Sequence, residues 1–177
     1  MEKENFMKRK IISFFSIIFV IFAFVIFYKS LNKSSVYKPK IANEKIPQFL
    51  TTSFYSKEKI DSKNVFNENK YYLFNIWASW CVPCRDEHSI LVNLSNNKKL
   101  DIIGLNYKDK LVNAEKFLNE LGNPYKKILL DKDGTTAIEW GAFGVPETFL
   151  IYQDKIIKKF IGPLNKNSLI EIEKIIK

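Results

Sequence analysis

The chain has 177 residues, with 28 lysines and arginines against 19 acids and a formal charge of +9. Only Arg9 and Arg85 are arginines, and the lysines are spread among Asn and Ile. Sequence-reading nucleic-acid proteins rely on arginine at base contacts, so the charge describes a solvated lysine surface and excludes a nucleic-acid site.

In chain order, residues 1–10 form a short tail ending in Lys8, Arg9 and Lys10, and residues 11–28 read IISFFSIIFVIFAFVIFY without a charge. Eighteen helical residues span about 27 Å, close to a hydrocarbon core. A cleaved signal peptide has a shorter apolar region and a small-residue cleavage site. The run is read as an uncleaved anchor with its tail in the cytoplasm, although lysines follow both ends. Residues 29–43 are a polar tether containing Pro39, expected to be flexible. Residues 44–177 suit one domain.

Within that domain YYLFNIWA (71–78) and LDIIGLNY (100–107) are continuous apolar runs, as expected for strands buried on both faces. A helix is predicted from Val82, where Ile90, Leu91 and Leu94 take helical spacing. NAEKFLNEL (113–121) is amphipathic and stops at Gly122 before Pro124. KKILLD (126–131) predicts a further strand closed by Asp133-Gly134. ETFLIY (147–152) and KIIKKFIG (155–162) predict a hairpin around Gln153-Asp154, a turn of weak chemistry, and residues 167–177 a last helix. The order implies an α/β mixed sheet flanked by helices.

The only two cysteines, Cys81 and Cys84, stand two residues apart in WASWCVPC, between a predicted strand and a helix. With one histidine they do not close a tetrahedral zinc site, although a copper site shared with a partner stays open. A structural staple gains little from so small a loop. Redox exchange is the leading reading. At a helix start, unpaired N–H groups and the dipole stabilise a thiolate at Cys81, which would attack, leaving Cys84 to resolve the mixed disulfide. Pro83 is tolerated in that first turn. Val82 and Pro83 offer no charge to the thiolate, so a reducing couple is expected. His88 could carry protons but reads first as a partly exposed polar residue. Glu87 and Glu147 each read either as a surface acid or as a carboxylate acting on a thiol. The Val145–Pro146 bond in GVPETF either simply precedes a strand or is a cis bond exposing backbone beside the cysteines.

FNIWASWCVPC and GVPETF resemble the active-site turn and cis-proline loop of thioredoxin-like proteins. Taken with WCVPCRDEH, GLNYKD and ELGNPY, the stretch from Ile46 to Gly162 is similar to DsbE/CcmG, the membrane-tethered thiol:disulfide interchange proteins of bacterial cytochrome c maturation. The resemblance implies a thioredoxin-like fold with an inserted strand-helix element, and a reductant in the periplasm on a single-pass inner-membrane anchor. It implies apocytochrome c as client and a membrane electron carrier of the DsbD or CcdA type as donor, alongside other cytochrome c maturation proteins. By the same resemblance Cys81 is the nucleophile, Cys84 the resolving thiol and Pro146 the cis proline, with Trp80, Glu87 and Glu147 about the site. No phosphate-binding glycine loop is present, so no cofactor is expected beyond the redox-active Cys81–Cys84 disulfide.

Overall fold

The structure is a computed structural model that describes residues 2–32, 44–66 and 69–177, with side chains from 14–29, 44–66 and 69–177. It divides into two units, Met1–Pro39 and Lys40–Lys177.

The first unit contains helix α1, Glu2–Asn32. Its described side chains are exposed, including Phe14, Phe15, Phe19 and Phe22. Among the described residues no helix is long and apolar enough to cross a membrane. The side chains of 11–13, which begin the expected anchor, lie outside the described residues, as do residues 33–43 of the expected tether.

The second unit is one eight-stranded sheet with helices on both faces. Its strands are β1 (Glu44–Lys45), β2 (Leu50–Ser53), β3 (Lys59–Asp61), β4 (Tyr71–Trp77), β5 (Leu100–Tyr107), β6 (Lys127–Asp131), β7 (Glu147–Tyr152) and β8 (Lys155–Ile161). Their spatial order is β1-β8-β7-β4-β5-β6-β2-β3. Strands β4, β5 and β6 run parallel, and β7, β8, β1, β2 and β3 join antiparallel. The helices are α2 (Val82–Ser95), α3 (Leu111–Leu121), α4 (Thr135–Glu139) and α5 (Lys166–Ile175). The strand-helix element around 113–131 is α3 followed by β6.

Alternation along the strands divides the core. Leu73, Trp77 and Leu150 face α2, α3 and α5, packing against Leu91, Leu94, Phe117, Leu118 and Ile172. Phe74, Ile76 and Phe149 face the other way, against Ala137 of α4 and Trp140. The Trp140 and Phe74 rings stack at 4.1 Å.

The strands and helices expected at 71–78, from Val82, at 100–107, 113–121, 126–131, 147–162 and 167–177 are all present. The expected pattern lacked β1, β2, β3 and α4. The three strands are short, polar and peripheral, and α4 is too short to show a helical period. The weak hairpin turn forms with Gln153 and Asp154 both at positive φ, 51° and 57°, the backbone of a two-residue turn of primed type.

Candidate active site

Cys81 ends the turn that follows β4 and caps α2. Its extended backbone (φ −88°, ψ 109°) leaves its Sγ to accept the Cys84 N–H at 3.1 Å. Pro83 sits in the first turn, where no helical N–H is needed. Cys81 and Cys84 form a disulfide with an S–S distance of 2.05 Å and Cα atoms 5.3 Å apart. Both are buried among the side chains of the α2 face. Once the disulfide is reduced, this N–H and the helix dipole favour a thiolate on Cys81.

The turn before Cys81 is tied to the loop after β5. The Asp109 carboxylate accepts the Ser79 N–H at 2.6 Å, the Ser79 hydroxyl at 2.8 Å and the Asn106 amide at 3.1 Å. Trp80 remains 56% exposed while its indole N–H donates to the Lys108 carbonyl at 3.1 Å. The sequence reading placed Trp80 here and missed Asp109, whose side chain follows a strand end where an acid commonly gathers free N–H groups.

Glu87 lies one turn beyond Cys84 on the same buried face of α2. It is fully buried, which overturns the surface-acid reading. Its Oε1 accepts the Asn75 amide at 2.9 Å, and its Oε2 accepts the Leu164 N–H at 2.7 Å. The same amide donates to Thr148 Oγ1 at 2.9 Å, and the Tyr125 hydroxyl donates to Asn75 Oδ1 at 2.8 Å. Among the described residues only neutral donors bond the carboxyl. Burial pushes it up from 4.5 to about 7, against the lowering effect of the Leu164 and Asn75 bonds. Burial and the nearby Glu87 charge also hold the Tyr125 hydroxyl well above its ordinary value. Asn75 is a hub that the sequence reading missed, although a lone amide inside YYLFNIW must find partners once buried.

This network needs room against β5. At Gly104 a Cβ would come within 2.8 Å of Trp77 Nε1 and 2.9 Å of Tyr125 Cδ1. Glycine there lets the stacked Trp77 and Tyr125 rings, 5.3 Å apart, lie on the strand.

His88 corrects its expectation. It is 2% exposed rather than partly exposed, because α2 turns it under α3. Its Nε2 is 2.8 Å from the Gly122 carbonyl, and its ring meets Phe117 edge-on at 5.0 Å. Burial lowers its pKa, opposed by the Gly122 bond and assisted by the Arg85 charge. The neutral ring donates Nε2–H to a carbonyl beyond the end of α3.

Glu147 is also buried, at 2% exposure, and its surface-acid reading falls as well. As the first residue of β7 it pairs with Ile76 of β4, and it shares a face with Phe149, opposite to the Glu87 side. Its Oε1 accepts the Phe143 N–H at 2.7 Å. Its Oε2 lies 2.6 Å from Lys159 Nζ, an ion pair outside hydrogen-bond angles, with side chains 2% and 3% exposed. The Val145–Pro146 bond preceding Glu147 is cis. Pro146 is buried, and Val145 packs against the core clusters of both faces, including the one that holds the cysteines. Trp80 and Pro83 thus adjoin the cysteines in the chain, Glu87 shares the buried face of α2 with Cys84, and Val145 packs against the core cluster that holds both cysteines, while Glu147 turns to the other face.

Comparison with known proteins gives this arrangement a family. Residues 41–176 match the Redoxin family model. The chain is 34% identical over 165 residues to the thiol:disulfide interchange protein DsbE of Escherichia coli, covering 90% of this chain and 89% of that one. It is 48% identical over 105 residues to the thiol:disulfide interchange protein CycY of Rhizobium leguminosarum, covering 59% of this chain and 56% of CycY. The thioredoxin domain of a thiol-disulfide oxidoreductase from Bacteroides vulgatus superposes with a TM-score of 0.65 at 20% identity, covering 77% of this chain and 98% of that domain, and so shares the fold. With a redox-active cysteine pair at the head of α2, the chain is a thiol:disulfide oxidoreductase and belongs to the DsbE/CcmG family.

Proposed function

We propose that the chain is a membrane-tethered reductant that keeps the paired thiols of apocytochrome c reduced for haem attachment on the periplasmic side of the inner membrane. In this reading residues 11–28 are the anchor, and the domain of residues 44–177 works outside the cytoplasm. The apolar run supports the anchor, and the resemblance across Ile46–Gly162 supports the client. The observation that carries the direction of exchange is the Cys81–Cys84 turn, where uncharged Val82 and Pro83 give the thiolate no side-chain cation. A strong oxidant needs its reduced form stabilised.

In this reading the two cysteines act in turn. The Cys81 thiolate attacks one sulfur of the client disulfide, forming a mixed disulfide and releasing one client thiolate. Cys84 gives its proton to a base, and Glu87, one turn away with a pKa of about 7, is suited to take it. The Cys84 thiolate then attacks Cys81 Sγ, closing the Cys81–Cys84 disulfide and freeing the second client thiolate. The client gains two electrons, one proton that left Cys84 and one from water, and a membrane carrier of the DsbD or CcdA type restores the dithiol.

The test is a trap. In C84A expressed in its native membrane, the mixed disulfide at Cys81 persists, and its partners are identified by mass spectrometry. Apocytochrome c and a membrane electron carrier are the expected captures. Other envelope proteins without apocytochrome c would move the clients elsewhere and keep the exchange chemistry. If maturation survives C81A/C84A, the chain acts by binding apocytochrome and its chemistry is dispensable.

A further inference from the structure

We propose that Lys159 is a positioning residue for disulfide exchange: through Glu147 it fixes the Gly141–Pro146 loop along which a polypeptide client reaches Cys81. The loop runs from the end of α4 to the start of β7. Its last residues lie beside the end of β4, the strand that leads into the Cys81 turn, because Glu147 pairs with Ile76. Phe143 is 70% exposed, and a Cβ at Gly144 would meet only open space, so the loop presents its outer side to solvent.

One ion pair gathers several of the loop's anchors, beside the Ala142 N–H bond to the Ala137 carbonyl, the Gly162 N–H bond to the Pro146 carbonyl and the packing of Val145. Lys159 Nζ donates to the Gly141 carbonyl at 2.7 Å and meets Glu147 at 2.6 Å. The other oxygen of Glu147 takes the Phe143 N–H. The ammonium also lies over the Phe143 ring at 4.7 Å and the Phe149 ring at 5.2 Å. One buried cation thus holds the first residue of the loop, the ring of its third and the carboxylate just after its last.

A buried pair of this kind is a weak source of stability, since apolar residues of the same volume commonly replace one without loss. What it supplies is a fixed backbone path. Exchange is sensitive to that path, because the client sulfur must line up with Cys81 Sγ, and misplacement by about 1 Å can cost about a hundredfold in rate. A small disulfide has no backbone to lay along the loop and does not feel the loss.

The experiment compares the reduced full-length chain with its K159M, K159R and E147Q/K159M variants on two oxidants. One is a peptide carrying a Cys-x-x-Cys-His disulfide, and the other is 2-hydroxyethyl disulfide. K159M is expected to lose about tenfold or more in kcat/KM on the peptide and to stay within about twofold on the small disulfide. K159R, which keeps the charge, restores most of the peptide rate. E147Q/K159M, which leaves no unpaired charge, keeps a severalfold loss confined to the peptide, and it carries the test if K159M does not fold. Equal losses on both oxidants, or wild-type peptide rates in the double variant, overturn the proposal. The proposal rests on exchange at Cys81. If the wild-type chain reduces neither oxidant, that exchange reading has failed instead.

Discussion

Glu87 and Glu147 are both buried acids in a single sheet, and their settings differ in one ingredient. Glu87, on the α2 face, is met by an amide and a backbone N–H and, among the described residues, by no cation. Glu147, on the opposite face, is met by a backbone N–H and the Lys159 ammonium. Neutral donors leave desolvation partly uncompensated, so burial raises the Glu87 pKa to about 7. A cation at contact distance makes Glu147 half of an ion pair, whose use is to hold backbone in place. The sequence reading treated these acids alike. Their partners separate them into a carboxyl of raised pKa and half of an ion pair.

The largest effect should come from breaking the ion pair. K159M strands a carboxylate among Phe143, Phe149 and the loop, and removing one partner of a buried pair typically costs about 3–5 kcal/mol. Urea unfolding of the oxidised, detergent-solubilised chain reads this directly. A loss below about 1 kcal/mol would mean that Glu147 reaches water and that the two acids are more alike than they look.

Next is the pH dependence carried by Glu87. Its pKa is about 7 in the folded chain against a reference of 4.5. Between these values the folded state holds more protons than the unfolded state, so stability falls as pH rises through the window. The contribution is fully present below pH 4.5 and is lost above 7, about 3 kcal/mol in all. E87Q lacks the step. The stability of E87Q minus that of the wild type should therefore climb from about pH 4.5 to 7 and then level off. A flat difference would show that Glu87 stays ionised and takes no proton from Cys84.

A third test reaches the Glu87 network from beneath. G104A forces a methyl against Trp77 and Tyr125, and overpacking of this kind costs about 1–3 kcal/mol. Gly104 packs on the Glu87 face and Lys159 on the other, with no shared partner, so G104A and K159M should add within about 0.5 kcal/mol in the double variant. A larger coupling would mean that the two faces communicate through β4 and β7.

The main elements of this domain are legible because their signals are local. The apolar runs of β4 and β5, the helical spacing in α2 and the glycine that ends α3 all lie within short windows. Leu50–Ser53 and Lys59–Asp61 carry no such signal, since strands this short at the end of a sheet take their conformation from their neighbours. The cysteines, Pro146 and the two acids were visible through spacing and resemblance. Asn75, Tyr125, Thr148 and Lys159 were not assigned roles, because their partners lie 12 to 73 residues away and meet only when β4, β7 and β8 align. Hence the acids could be found but not told apart.

The smallest expected effect makes the sharpest control, because it concerns the residue beside Lys159. Lys158 and Lys159 are consecutive in β8, so their side chains leave opposite faces of the sheet. Lys158 pairs with Glu171 of α5, and those side chains are 38% and 43% exposed. Lys159 pairs with Glu147 at 3% and 2%. Charge, sequence neighbourhood and strand are the same, and only solvation differs. Water already solvates both members of the exposed pair, so K158M should cost about 0–1 kcal/mol, and added salt should weaken even that. On both oxidants its exchange rates should match the wild type. If K158M instead loses several kcal/mol, the cost of K159M reflects a general demand for lysine in β8, and the buried pair no longer explains it. If K158M is silent while K159M is costly, the sheet itself decides which lysine matters, by the face to which it turns each one.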